Sequence, residues 1–225
     1  MSTLCDRLNE VRARIRAAAE AAGRDPASIR LIAVSKTHPL ESVKAAHACG
    51  QVDFGENRVQ ELVPKMEQGP HDARWHMIGT LQTNKIKYLA DRVDVIHSVP
   101  SVKALAEIDK RAAAAGRVIE ALIQVNISDE DQKSGCEPAE LPALVEAAKG
   151  MAHIRLTGLM GIASLEAEAE AVRPQFRMLR ELRDRHLGPR AELSMGMSHD
   201  LEVAVAEGAT MVRVGTSIFG ERTVS

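Results

Sequence analysis

The sequence predicts a parallel (β/α)8 barrel, built as one domain over residues 1–225 with an extra helix in front, and three observations carry that expectation. Short aliphatic segments alternate along the chain with segments of helical period, which implies parallel strands joined by crossovers. Three of them, RLIAVS at 30–35, VIEALIQVN at 118–126 and MVRVG at 211–215, are mostly continuous apolar runs, as expected of strands covered on both faces. No G-x-G-x-x-G follows the first strand, which disfavours the competing open doubly wound sheet, and eight units use up the length.

The elements follow in order. Leu4, Leu8, Val11, Ile15 and Ala18 recur at steps of three and four, with Ser2 or Thr3 before them and Gly23 after, which predicts an amphipathic helix over 3–22. Strands are expected at about 30–35, 52–55, 74–79, 93–98, 118–125, 154–160, 191–195 and 211–214. Helical period marks 101–115, 138–149 and 168–186, and NKIKYLADR at 84–92 reads as a helix after the third strand. EQGPHDAR at 67–74 reads as a surface turn, and acidic EAEAE at 166–170 as the exposed start of the sixth helix, where negative charge suits a helix N-terminus.

Composition narrows the function. Lys+Arg total 29 and Asp+Glu 31, so no global field would gather nucleic acid or an anionic membrane, although a small anion could be held locally. The N-terminus is studded with charge and no stretch has the length of a membrane span, which predicts a cytoplasmic protein. Cys5, Cys49 and Cys136 are odd in number and far apart, and read as ordinary cytosolic thiols rather than a disulfide scaffold or a metal site. His76 and His97 fall inside strands without an H-x-H or H-E-x-x-H spacing, and read as hydrogen-bonded interior side chains.

The chemistry is expected where barrel strands end. Lys36 closes the first strand in LIAVSKTHP; desolvated there, its amine could attack an aldehyde, or it could snorkel to solvent or pair with Glu56. Gly215 and Thr216 leave the eighth strand, and Ser198 marks the start of a helix after the seventh. Together, at adjacent strand ends, these favour an anion site, although each has a plain reading as a tight turn or an N-cap. Arg213, two residues before Gly215, should point into the barrel and need an electron-rich partner, with a neighbouring carboxylate as the competing one. An aldehyde-reactive amine, a phosphate cradle and a fixed cation together describe a pocket for pyridoxal 5′-phosphate. An aldolase acting on a phosphorylated sugar would use the same barrel and phosphate turn.

LIAVSKTHP, DFGENRVQE at 53–61, WHMIGTLQTNK at 75–85, VNISDEDQKSG at 125–135, LTGLMGI at 156–162 and LSMGMSHDLEVAVAEGATMVRVGTSIFG at 193–220 are similar to one family over nearly the whole chain. The sequence resembles the pyridoxal phosphate homeostasis proteins, of the alanine-racemase-like barrel class (PLP fold type III). The resemblance implies that Lys36 is the Schiff-base residue, that Ser198, Gly215 and Thr216 hold the phosphate, that Arg213 faces the ring nitrogen, and that Asn57 contacts the cofactor or its lysine. Thr80 departs from the family's usual proline, and His199 from a common acidic residue, a departure that alters charge beside the expected phosphate site. Racemases of this class use a second base, a tyrosine, from an additional β-domain. Tyr88, the single tyrosine here, lies in a polar segment, and the chain ends five residues after Gly220, so a non-catalytic carrier is expected ahead of a racemase-like enzyme. Apo-enzymes that need the cofactor are expected as transient recipients, reached by exchange of Lys36 for another amine. We expect a monomer, with the SDEDQKSG loop at 128–135 as a rim of the pocket.

Overall fold

In the computed structural model, which describes residues 3–128, 134–164 and 168–220, eight parallel strands close into a barrel in sequential order. They are β1 (Arg30–Val34), β2 (Asp53–Glu56), β3 (Arg74–Met77), β4 (Val95–Val99), β5 (Ile119–Gln124), β6 (Ile154–Met160), β7 (Glu192–Ser194) and β8 (Met211–Val214). Every expected strand is present. Pairing of Ile32 with Arg213 and Ala33 with Val214 joins first to last.

The helices are α1 (Leu4–Ala21), α2 (Leu40–Ala48), α3 (Val59–Gln68), α4 (Val102–Ala114), α5 (Leu141–Lys149), α6 (Arg173–His186), α7 (Leu201–Ala206) and α8 (Thr216–Phe219). Thr3 is the cap that starts α1: its hydroxyl accepts from the Asp6 amide while the Asp6 carboxylate accepts from the Thr3 amide. Two helical expectations change in form. After β3 the chain makes a 3-10 helix over Thr83–Tyr88, and α6 begins at Arg173, preceded by a 3-10 turn at Ala169–Val172. Residues 166 and 167 of the acidic run lie outside the described residues, and Glu168 to Glu170 precede α6 rather than forming its first turn. The surface turn before β3 is confined to 69–73, since Glu67 and Gln68 end α3.

Strand alternation sorts the side chains into two compartments. Leu31, Phe54, Trp75, Ile96, Ile123, Leu159, Leu193 and Val212 face outward and form the main core against the helices. Val95, Leu122 and Met160 pack separately inside the barrel. Beside these and Ile32, the interior also carries polar side chains: His76, His97, Ser194 and Arg213 are all buried. α1 packs against α7 and α8, where Arg7 Nε donates to the Ile218 carbonyl at 2.7 Å and Arg14 Nη2 to the Ser198 carbonyl at 2.9 Å. The extra helix therefore braces the loops that leave β7 and β8.

The cysteine expectation is corrected. Cys5 and Cys49 form a disulfide with Cα atoms 5.6 Å apart, joining α1 to the end of α2, and only Cys136 is a free, buried thiol. Sequence separation hid the pairing, because crossover topology lays the N-terminal helix beside α2. No described helix is long and apolar enough to cross a membrane.

Candidate functional site

The C-terminal ends of β1, β2, β7 and β8 surround a cavity of about 350 Å³, at the small end of the range typical for ligand sites. Lys36, Asn57, Ser198, Arg213, Gly215 and Thr216 all line it. Four separate stretches of the chain, around residues 36, 57, 198 and 213–216, thus meet in one place.

β1 stops at Val34, and the next residue, Ser35, is buried and held on three sides. Its amide donates to the Gly55 carbonyl at 3.0 Å, its hydroxyl to Glu56 Oε1 at 2.6 Å, and its carbonyl accepts from Lys65 Nζ at 2.8 Å. Glu56 is thus engaged by Lys65 and Ser35; burial pushes its carboxyl pKa up, against the opposing pull of those two partners. Lys36 follows, half-buried, in a turn where Thr37 has φ +64°, the one positive value at a non-glycine among the described residues. For a β-branched residue that conformation is strained, and the Thr37 amide is pinned by Glu61 Oε2 of α3 at 2.7 Å. The Lys36 turn is built from outside inward.

Asn57 follows the last residue of β2 and lies beside Gly79, where an added Cβ would lie 2.3 Å from the Asn57 carbonyl oxygen; only glycine lets the two loops pass. Across the barrel closure, an added Cβ on Gly215 would come 3.1 Å from the Val34 carbonyl. That approach sets the exit of β8 against the exit of β1, two residues before Lys36. Gly215 then opens α8, whose first residue is the exposed Thr216.

Ser198 lines the cavity but does not cap a helix. Asp200 stands before α7 instead, and its carboxylate accepts from the Met197 amide at 2.6 Å, shaping the turn that presents Ser198. The capping expectation failed because α7 starts two residues later than the sequence suggested. Gly196, at φ +94°, makes the preceding bend, and His199 is exposed on the rim with Nε2 3.4 Å from Asp200 Oδ2.

Arg213 points inward as its register demands. Nη1 donates to Ser194 Oγ at 2.6 Å and Nη2 to the Gly161 carbonyl at 3.0 Å, so its partners in the described protein are neutral oxygens, not the competing carboxylate. Burial lowers its pKa to about 10, partly offset by Asp200. No carboxylate stands among the described residues lining the cavity, which include the amine of Lys36 and the guanidinium of Arg213. This donor set fits an anionic ligand.

Sequence reasoning missed the walls and the supports. His38, stacked on Phe219 with centroids 5.1 Å apart, and the apolar Ile78 and Ile162 also line the cavity. The nearest signal for His38 was its place two residues after Lys36. Tyr88 is exposed, its ring 4.8 Å from Lys87 Nζ, and is not among the lining residues. Of the expected rim loop, residues 129–133 lie outside the described set; its flank reaches Thr80, whose hydroxyl is 3.0 Å from that of Ser134. No group of three or more potential metal-ligating side chains is found among the described residues.

A parallel barrel with an amine, a hydroxyl-and-glycine turn and a buried guanidinium at its C-terminal mouth is a barrel whose mouth carries the donors that suit a small anion. Residues 7–223 match the family model of the alanine racemase N-terminal domain. The chain belongs to that family and, within it, to the pyridoxal phosphate homeostasis proteins. The relative of that name from Pseudomonas aeruginosa is 47% identical over 99% of this chain and 97% of its own length. One from Aquifex aeolicus is 46% identical over 97% and 98%. The solved structure of PipY from Synechococcus elongatus with PLP bound superposes with a TM-score of 0.83 at 36% identity, covering 97% of this chain and all of that one.

Proposed function

We propose that this chain binds pyridoxal 5′-phosphate in the cavity at the barrel mouth and serves the homeostasis of that cofactor. The observation that carries the reading is the meeting of Lys36, the Ser198 and Gly215–Thr216 turns, and Arg213 around one cavity with no described carboxylate in its lining. The PLP bound in the PipY structure adds to it. When bound, the cofactor supplies an aldehyde carbon that an amine can hold reversibly. Lys36 is that amine. Ser198, Gly215 and Thr216 donate to the phosphate, Asn57 orients the lysine end, and Arg213 faces the ring nitrogen as a group that can only donate, so the nitrogen stays unprotonated.

The role we assign is a non-catalytic, cytoplasmic and monomeric carrier that passes the cofactor to apo-enzymes. The test is a visible spectrum of the protein reconstituted with PLP, with borohydride trapping and mass analysis, for the native chain and Lys36→Ala. We expect a band and a one-PLP adduct in the first and neither in the second. An adduct carrying a sugar in a colourless protein would replace this reading with the aldolase. Rapid exchange of the alanine Cα proton, dependent on Lys36, would replace it with a racemase-like enzyme. Transfer to an apo-enzyme no faster than from free cofactor would remove the delivery role.

A further inference from the structure

The barrel interior holds a chain of polar groups that ends on Arg213 and begins far from the cavity lining. Asp53 on β2, His76 on β3, His97 on β4 and Ser194 on β7 project inward. His76 Nε2 lies 2.9 Å from Asp53 Oδ1, His76 Nδ1 lies 2.9 Å from His97 Nε2, and His97 Nδ1 lies 2.8 Å from Ser194 Oγ. Arg213 Nη1 closes the series at 2.6 Å from the same hydroxyl. Both imidazoles have no exposed surface.

The ends of this chain have fixed polarity. A carboxylate only accepts, so His76 carries its proton on Nε2; a guanidinium only donates, so Ser194 Oγ accepts from Arg213. With neutral rings the middle has one solution. His76 Nδ1 accepts from His97 Nε2–H, and His97 Nδ1 accepts the Ser194 hydroxyl proton. Neutrality follows from the surroundings. Burial disfavours the imidazolium at both rings, and of the charged groups near them Arg30, Arg74 and Arg213 oppose it while Asp53 alone favours it. Every donor then points from Arg213 towards Asp53.

We propose that Asp53, His76, His97 and Ser194 form a positioning relay that locks the orientation of Arg213, holding its other N–H groups as fixed donors towards the cavity. That these donors serve a ring nitrogen rests on the PLP reading above; the relay itself does not. Without the Ser194 acceptor the guanidinium would keep only the Gly161 carbonyl among the described groups and could swing.

The test begins with ¹⁵N-histidine-labelled native protein without added cofactor, assigned with His76→Gln and His97→Gln. We expect both rings neutral and protonated on Nε2, unchanged between about pH 6 and about pH 8. A proton on Nδ1 of either ring, or an imidazolium at neutral pH, overturns the relay. In Asp53→Leu the two tautomers should mix and the Arg213 guanidinium protons should exchange with solvent at least about tenfold faster. Should that variant not fold, Ser194→Ala should leave both tautomers in place and speed the same exchange. Unchanged exchange in the variant that folds overturns the positioning. After reconstitution with PLP, the visible band should shift in these variants while the Lys36 adduct stays at full occupancy; an unshifted band overturns the link to the cavity. Ordered histidines in a protein that takes up no PLP would refute the cofactor reading alone, and disordered histidines with normal PLP uptake would refute the relay alone.

Discussion

Lys65 Nζ lies 2.5 Å from Glu56 Oε1 and 2.8 Å from the Ser35 carbonyl, so one buried ammonium fixes the residue before Lys36 and the residue before Asn57. The pair sits behind the cavity. Because Glu56 Oε2 has no hydrogen-bond partner among the described residues, the carboxylate depends on Lys65 and Ser35 through its other oxygen.

Removing the ammonium leaves a charge buried without its counterion. Lys65→Met should lower the unfolding free energy by about 3 kcal/mol or more, and Lys65→Met with Glu56→Leu should recover most of that loss. Urea denaturation of the three proteins measures it. A single-variant loss below about 1 kcal/mol would mean that the carboxyl is accommodated without the lysine.

The phosphate side offers a second measurement. Thr216→Val and Ser198→Ala should each weaken PLP binding by about tenfold or more, the worth of a hydrogen bond to a charged group, with little effect on pyridoxal, which lacks the phosphate. Titration of both ligands into each variant reads the difference. Equal losses for the two ligands would place these hydroxyls elsewhere than on the phosphate.

The buried histidines make stability depend on pH. Their folded pKa values lie below the ordinary 6.5, His97 well below, mainly because burial disfavours the charged ring. The unfolded chain therefore binds more protons below that pH, and stability falls as pH drops from about 6.5, by up to about 1.4 kcal/mol per unit for each ring. Urea midpoints between about pH 5 and pH 6.5 should show a steeper fall for the native protein than for His97→Gln. Parallel curves would contradict the assignment.

Thiol titration checks the link between α1 and α2. Protein denatured without reductant should yield one reactive thiol, Cys136, and reductant should release Cys5 and Cys49. Loop-entropy arithmetic for a separation of 44 residues gives about 4 kcal/mol of stabilisation from the bond, so Cys5→Ser should lower the urea midpoint. In the folded protein Cys136 should resist alkylation, since burial raises its pKa to about 11.

Much of this architecture was legible because its signals are local. Apolar runs such as RLIAVS and MVRVG mark strands covered on both faces, and alternation in MVRVG turns Arg213 inward wherever the strand lies. The side chains that Lys36 and Arg213 rely on were less legible. Lys65 reads as an ordinary helical lysine, yet α3 delivers it under β1 and β2 to Glu56. Ser198 reads as a cap because serine before an apolar run usually is one, but Asp200 takes the position at the head of α7 and turns back to Met197.

By itself the sequence determined the eight strands and their order, the inward direction of Arg213, and the presence of Lys36, Gly215 and Thr216 at strand ends, since periodicity and strand termini are properties of contiguous residues. Only the tertiary structure decided that Cys5 meets Cys49, that Lys65 neutralises Glu56, and that Asp53, His76, His97 and Ser194 join end to end behind Arg213. Those partnerships are set by barrel closure and strand register, which bring together atoms from distant segments within hydrogen-bonding reach, and no local pattern encodes which distant atoms will meet.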